Sequence, residues 1–169
     1  MRTVFETKRL KLREFSSADL DELAAMVSDE TQMRFYPRPK ARDEASAWIG
    51  RNLALYEEHG FGFWFIEARP TAGFLGYCGI RPLALEDASE VEIGWHTKKT
   101  RWNQGIATEA AAAARDLAFR RFGFSRLVAI IHPDHVASRR VAEKIGMHGE
   151  KTTMLDDDYP AVIYVAERP

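Results

Sequence analysis

Three scarcities limit what this 169-residue chain can be. It has one cysteine, Cys78, so it can form no internal disulfide, which is typical of a reducing compartment. Its 24 lysines and arginines against 25 aspartates and glutamates leave a formal net charge of −1, which gives no support for nucleic-acid binding. No apolar run approaches the ~18–20 residues of a membrane span, and Glu6, Lys8, Arg9 and Lys11 interrupt any signal-peptide core. We therefore expect a cytoplasmic protein that binds neither nucleic acid nor membrane.

Metal-binding patterns are also missing, because the five histidines are scattered and no cysteine pair accompanies them. Cys78 lies in an alternating apolar run, which favours a buried thiol over a nucleophile. The composition, 46% hydrophobic and 29% charged, is ordinary for a globular protein. Because the sequence contains no repeat or linker-like stretch, we expect residues 1–169 to form a single domain.

Hydrophobic periodicity predicts strands and helices that alternate along the chain. A period of two, or a short apolar run, predicts strands at 9–15, 61–67, 74–80, 90–97, 127–131, 152–155 and 161–166. Helical spacing of apolar residues predicts helices at 19–27, 43–58, 107–122 and 138–145, and 31–42 is predicted to be irregular. This order predicts a mixed sheet of the α/β (α+β) class with helices on its faces.

The glycine at position 105 joins a predicted strand to an alanine-rich predicted helix. Such a turn presents several unpaired backbone N–H groups at the positive end of the helix dipole, and that point attracts phosphate. Lys98, Lys99 and Arg101 directly precede the turn and are candidates to meet the phosphates, with a solvated basic loop as the alternative. The turn has no Gly-Lys-Ser/Thr ending and no three-glycine fingerprint, which argues against a P-loop and a dinucleotide site.

Four segments resemble, in the same order, those of GCN5-related N-acetyltransferases (GNAT). They are residues 7–13 (TKRLKLR), 92–95 (EIGW), 102–110 (WNQGIATEA) and 134–147 (DHVASRRVAEKIGM). The third resembles the pyrophosphate loop of the subgroup that contains ribosomal-protein alanine and serine acetyltransferases. The resemblance covers roughly residues 7–166. It implies a three-layer fold, with a mixed, mostly antiparallel sheet of six or seven strands and about four flanking helices. It also implies acetyl-CoA as the acyl donor and an amine as the acceptor, and it allows a homodimer.

The resemblance further implies a set of donor-binding residues. They are Trp95, His96, Thr97, Trp102, Asn103, Gln104, Gly105, Ile106, Ala107, Thr108, His135 and Ser138. Two positions depart from the family pattern. Trp102 stands where the wider family often has glutamine or arginine, as is usual in the subgroup. His135 stands where asparagine usually begins the helix, and imidazole is bulkier and titratable.

Glu92 is the first candidate for the catalytic base, because the acceptor amine must lose a proton to attack. An unperturbed alkyl amine has a pKa of ~10.4. Glu90, Gly94 and His96 share the Glu92 face of the strand by its period of two. His96 is the alternative base. The competing interpretations are a salt-bridged glutamate and a histidine that only packs beside the donor.

Two further groups complete the expected chemistry. The resemblance implies that a backbone N–H near Trp95 or His96 stabilises the oxyanion. Many relatives protonate the departing thiolate with a tyrosine, but none stands between His135 and His148. Ser138 is then the candidate to stabilise the thiolate, and a hydroxyl bonded to a backbone carbonyl is the competing interpretation.

The sequence therefore predicts an N-acetyltransferase that transfers the acetyl group directly from acetyl-CoA. Its acceptor is either a protein N-terminus or a small-molecule amine. The alternative of a different class is a non-catalytic CoA-binding sensor or interaction module. Aspartates 156, 157 and 158 are candidates to attract a cationic amine, with a solvated turn as the competing interpretation.

Overall fold

One eight-stranded sheet organises the fold of the computed structural model, which describes residues 2–155 and 158–168. The strands are β1 (Thr3–Glu6), β2 (Leu10–Arg13), β3 (Phe63–Ala68), β4 (Phe74–Leu85), β5 (Ala88–Thr97), β6 (Arg126–Ile131), β7 (His148–Leu155) and β8 (Tyr159–Glu167). The helices are α1 (Leu20–Val27), α2 (Glu30–Met33), α3 (Arg42–His59), α4 (Ile106–Arg120) and α5 (Val136–Lys144). Short 3₁₀ turns occupy Ser17–Asp19 and Lys99–Arg101.

The strand order is β1-β2-β3-β4-β5-β6-β8-β7. Every neighbouring pair is antiparallel except β5 and β6, which run parallel. The predicted mixed, mostly antiparallel class is confirmed. The described residues contain one more strand and one more helix than the periodicity predicted, namely β1 and the four-residue α2. Each is four residues long, and neither TVFE nor ETQM carries the alternating or helical apolar pattern on which the prediction rests.

Helices cover both faces of the sheet because the strands alternate. On β3, Trp64 and Ile66 pack in the core beneath α4, whereas Phe65 packs in a second core with α1 and α3. The α4 residues that meet the sheet are mostly alanines, and the fully buried Ala110 and Ala114 let this helix approach β4 and β5 closely. The two faces of β3 are therefore covered by different helices.

A buried ionic cluster joins the first predicted strand to its neighbours. The Arg13 guanidinium donates to Asp19 through two nitrogens at 2.8 Å and to Glu67 Oε1 at 2.5 Å. Arg13, Asp19 and Glu67 are each less than a tenth exposed. Burial alone favours a raised pKa for Asp19 and Glu67, but the bonds and charge of Arg13 outweigh it, so both pKa values are lowered. The folded state therefore holds both carboxylates ionised.

Candidate active site

The parallel strands β5 and β6 part to form a cleft in the middle of the sheet. Glu92 and Val128 are the only residues that the two strands pair, although β5 continues to Thr97 and β6 to Ile131. Beyond that pair the facing segments line a cleft of about 600 Å³, named here the β5–β6 cleft. Backbone groups of β5 that point toward β6 have no ladder partner there, so an extended ligand can pair with them.

The start of α4 forms one end of the cleft. Gly105 has φ 74°, a left-handed conformation that favours glycine, and it caps the helix. The first helical bond runs from Glu109 N–H to the Gly105 carbonyl at 3.0 Å. The N–H groups of Ile106, Ala107 and Thr108 precede that bond, and all three residues line the cleft. This is the phosphate-attracting helix end that the sequence predicted.

Only one of the three basic residues before the turn faces the cleft. Arg101 lines it, as do Arg34, Arg140 and Lys144 from other elements. Lys98 pairs instead with Glu22 at 3.0 Å, and Lys99 pairs with Asp29. Lys98 and Lys99 lie outside the described lining of the cleft, and their ion pairs tie the turn to α1 and to the start of α2. The positive charge of the cleft lining therefore comes mainly from elements other than this turn.

The turn is held from behind by an ionic contact with the first hairpin. Arg9 Nε donates to Glu109 Oε2 at 2.6 Å, and Arg9 also donates to the Gln104 carbonyl at 2.9 Å. Thr7 Oγ donates to Glu109 Oε1 at 2.5 Å. Gln104 is exposed and is absent from the described lining of the cleft, unlike the other predicted donor-binding residues. Gln104 therefore contributes its backbone carbonyl, which accepts from Arg9, and its side chain does not line the cleft.

A substitution tests the role of the turn. Gly105→Ala puts a side chain at a left-handed position, which costs about 1–2 kcal/mol, with its Cβ 3.4 Å from Arg9. We expect the loop to shift and acetyl-CoA affinity to fall by up to about tenfold. Gly123→Ala is the matched control, because Gly123 has φ 73° in open space away from the cleft. Calorimetric titration should find weaker binding in Gly105→Ala only; equal affinity in both variants contradicts the role.

His135 caps α5 on the opposite side of the cleft. Its Nδ1 accepts the Ser138 N–H at 3.4 Å, and its ring stacks on Phe35 with centroids 4.2 Å apart. Burial, and then the charges of Arg34 and His132, lower the His135 pKa to about 4. A neutral imidazole therefore takes the N-cap role that asparagine commonly plays in helices. The Ser138 side chain lines the cleft and makes no hydrogen bond within the described residues.

Tryptophans line the α4 side of the cleft. Trp95 Nε1 is buried and has no hydrogen-bond partner within the described residues. Because an unpaired buried donor is costly, this group is suited to a ligand acceptor. Trp102 Nε1 donates to the Thr97 carbonyl at 2.9 Å, so Trp102 closes the turn onto the end of β5. Asn103 lies between Trp102 and Gly105 with a positive φ of 61°.

Glu92 faces the opposite side of β5, where the strands begin to part. Its Oε2 accepts from Arg81 Nε at 2.5 Å, and the two residues sit directly opposite each other on β5 and β4. The Glu92 side chain is 13% exposed, whereas that of Arg81 is 43% exposed. Glu92 is the one carboxylate among the described residues that line the cleft. Its Oε1 has no hydrogen-bond donor within the same residues, so one carboxylate oxygen is available to an amine.

His96 shares the Glu92 face, as the period of two predicted. Its ring stacks on Tyr36 with centroids 5.4 Å apart, and its Nδ1 lies 3.4 Å from the Tyr77 hydroxyl. Burial, and then the charge of His135, lower the His96 pKa to about 4. His96 is therefore neutral near pH 7 and is a weak base.

The amino-acid sequence is that of a known family. Residues 9–148 match the family described as the acetyltransferase (GNAT) domain. The chain belongs to the GNAT family. It is 36% identical over 152 residues to the uncharacterized protein YkkB of Bacillus subtilis (strain 168), a match that covers 89% of this chain and 88% of YkkB. It is 30% identical over 149 residues to the uncharacterized N-acetyltransferase YoaA of the same organism, covering 87% and 84%.

A solved structure extends the likeness to a ribosomal-protein acetyltransferase. RimL, the ribosomal L7/L12 alpha-N-protein acetyltransferase in complex with coenzyme A, matches 98% of each chain with a TM-score of 0.80 at 19% identity. At this identity the likeness establishes the shared fold. The predicted resemblance to this family is confirmed, and the GNAT chain is an N-acetyltransferase.

Several residues that line this GNAT cleft were not among the predicted catalytic and donor-binding residues. Arg81 and Tyr77 come from β4, Tyr36 follows α2, and Tyr159 opens β8. Tyr159 donates to the Phe35 carbonyl at 2.9 Å, which ties the loop after α2 to the far side of the cleft. Burial raises the pKa of Tyr77 to about 12, so its hydroxyl stays protonated. The only sequence signal for these positions is the set of aromatic residues in 31–42 and 61–77, and from sequence such residues cannot be told from core residues.

Three further expectations concern features other than the cleft. Asp156 and Asp157 of the acidic turn lie outside the described residues, and Asp158 is exposed. Within residues 2–155 and 158–168, no helix combines the length and the apolarity that crossing a bilayer requires. In the same part of the chain, no three His, Cys, Asp or Glu side chains group as metal ligands.

Proposed function

We propose that this protein binds acetyl-CoA in the β5–β6 cleft and transfers the acetyl group directly to a primary amine. The parting of β5 from β6 beside the start of α4, with Glu92 where the cleft narrows, carries the proposal. The free N–H groups of α4 and Arg101 suit a pyrophosphate. The unpaired edge of β5 and Trp95 Nε1 suit the amide-containing arm of the cofactor.

The acceptor amine approaches from the Glu92 face. The ammonium pairs with the free oxygen of Glu92 and gives up a proton to it, directly or through water. The amine nitrogen then attacks the thioester carbonyl carbon and forms the C–N bond. A backbone N–H of β5 near Trp95 or His96 holds the oxyanion.

Collapse of the tetrahedral intermediate breaks the carbon–sulfur bond. The departing thiolate accepts a hydrogen bond from Ser138, whose hydroxyl has no other partner within the described residues. A proton released from the amine and relayed by solvent completes the thiol. Ser138 thus stabilises the leaving group without being the acid.

The proposed function covers two classes of acceptor, a protein N-terminus and a small-molecule amine. RimL acts on a ribosomal protein by its name, but at 19% identity it shares the fold alone. His135 caps α5 by accepting the Ser138 N–H, and the turnover experiment below distinguishes the enzyme from the non-catalytic module. A cytoplasmic location and a homodimer stay predictions.

Binding and turnover are tested separately. Acetyl-CoA at ~1,000 times its dissociation constant should stabilise the fold by ~4 kcal/mol, measured as a rise in thermal midpoint. Dephospho-CoA and acetate serve as controls for which part of the donor is recognised. An amine panel should then release free thiol in step with N-acetylated product. No stabilisation contradicts the cleft assignment, and binding without turnover on any amine favours the module.

A further inference from the structure

We infer that the acceptor is an apolar α-amino acid, whose ammonium binds Glu92 while its carboxylate binds Arg81. This inference rests on the proposed function. It deepens that function by naming the substrate class from the Arg81–Glu92 pair and the aromatic walls around it.

The cleft presents one paired positive and negative charge to the acceptor. Arg81 and Glu92 lie opposite each other on adjacent strands and share one hydrogen bond of 2.5 Å. Arg81 uses only Nε in that bond, so its two terminal nitrogens have no partner within the described residues. Both residues line the cleft, and Arg81 is 43% exposed. A free guanidinium edge is shaped for a carboxylate.

A zwitterion fits this pair better than a bare amine. A bare amine uses only the free oxygen of Glu92 and leaves the terminal nitrogens of Arg81 without a partner among the described residues. An α-amino acid brings its own carboxylate, so both protein charges remain paired after binding. A peptide N-terminus carries a neutral amide at that position and supplies no charge to pair with the free guanidinium nitrogens.

A polyamine is disfavoured by the same charges. Each additional ammonium needs an acceptor. Glu92 is the one carboxylate among the described residues of the cleft lining, and Glu44, which lines the neighbouring side pocket, is already paired with Arg38 and Lys40. Arg81 repels a second positive charge placed beside the first. The charge pattern therefore selects against polycations.

The space beside the pair is aromatic and apolar. Phe63, Tyr77 and Trp48 surround it, with Trp48 and Tyr77 centroids 4.9 Å apart and Phe63 and Tyr77 centroids 5.6 Å apart. A side pocket of about 190 Å³ adjoins the cleft through Tyr36, Trp48 and Tyr77. Leu23, Val27, Met33 and Ala45 form its apolar part, and Lys40, Glu44 and Arg51 also line it. This surface suits an apolar or aromatic side chain on the acceptor.

Matched acceptors isolate the carboxylate. Phenylalanine, tyrosine and leucine are each compared with their amide and their decarboxylated amine, with kcat/KM measured from thiol release and product mass. The amino acid, its amide and its decarboxylated amine differ in the basicity of the amine. The preference is therefore defined as the kcat/KM of the amino acid divided by that of its amide or amine, and this ratio is compared between the wild type and Arg81→Gln. We expect that preference to fall about 10- to 100-fold, the worth of a charged hydrogen bond.

Two variants control for indirect effects. Arg126→Gln removes an arginine that pairs with Glu90, two residues from Glu92 and outside the described lining, and should keep the wild-type preference. Arg81→Lys keeps the positive charge but lacks the paired N–H donors of the guanidinium, so it should retain part of the preference for the amino acid. Thermal midpoints confirm that each variant is folded.

The outcomes separate the two levels of the account. An unchanged preference in Arg81→Gln overturns the inference, as does acetylation of amides or amines without any amino acid. If none of these acceptors reacts but another amine is acetylated, the inference fails and the proposed function stands. If no amine is acetylated at all, both fail.

Discussion

Glu92→Gln is expected to lower kcat for acetyl transfer by about 10²–10⁴-fold, the usual worth of a general base. Glutamine has nearly the same shape but cannot accept the amine proton or pair with its charge. Binding of acetyl-CoA is expected to persist, since the proposed pyrophosphate contacts lie at the start of α4. Steady-state kinetics and calorimetric titration measure the two quantities on the same preparation.

Glu90→Gln is the matched control for this loss. Glu90 is two residues away on the same face of β5, but it pairs with Arg126 and is absent from the described lining of the cleft. It should retain wild-type kcat. A Glu92→Gln variant that also keeps its kcat contradicts the assignment of the base. His96→Ala would then test the remaining candidate, whose pKa of about 4 makes it a weaker base.

Arg13→Ala should reduce the free energy of unfolding by about 3–5 kcal/mol, because it leaves buried charge without its partner. Asp19 loses both of its guanidinium bonds, and Glu67 keeps only Lys11 at 3.1 Å. Urea unfolding, with the slope checked for constancy, gives the difference. Arg42→Ala is the control, since Arg42 and Asp21 form an ion pair with both side chains mostly exposed. A midpoint for Arg13→Ala equal to that control contradicts the account.

The same cluster gives the protein an acid-sensitive stability. The folded pKa values of Asp19 and Glu67 are lowered, so their contribution is present above the unfolded values of about 4 and is lost as pH falls through the folded values. In Arg13→Ala the largest cause of the lowered pKa values is gone, while Ser16 still donates to Asp19 and Lys11 still pairs with Glu67. The free energy of unfolding of Arg13→Ala should therefore fall less between pH 6 and pH 3 than that of the wild type, as measured by unfolding experiments across that range.

Periodicity was sufficient for the long elements of the fold. The alternation in 90–97 predicted β5, and the alanines of 107–122 predicted α4 within two residues at either end. Short or interrupted elements gave no such signal. The strand β4 runs on to Leu85, beyond its predicted end at Ile80, because Arg81 and Pro82 break the apolar pattern while the hairpin with β5 continues.

Much of the candidate site was predictable from its turn and its helix starts. Gly105 and Ser138 line the same cleft from the starts of different helices. Eleven of the twelve predicted donor-binding residues line this cleft of about 600 Å³. The missing one, Gln104, turns its side chain away because its backbone carbonyl is held by Arg9.

Contacts between residues that are distant along the chain could not be predicted from the sequence. The Arg81–Glu92 pair requires the alignment of β4 and β5, which the hairpin length sets. Lys99 looked like a phosphate ligand by position, but its partner Asp29 is 70 residues away along the chain. His135 looked like a defect against the family pattern, and its capping geometry emerges only with Phe35 stacked on its ring.

A crystal structure with bound acetyl-CoA tests the central claim most directly. The account predicts the pyrophosphate at the N–H groups of Ile106, Ala107 and Thr108. It predicts the amide arm along the unpaired edge of β5, and the thioester carbonyl within reach of an amine held at Glu92. Acetyl-CoA bound outside the β5–β6 cleft, or with its thioester on the side away from Glu92, would contradict it.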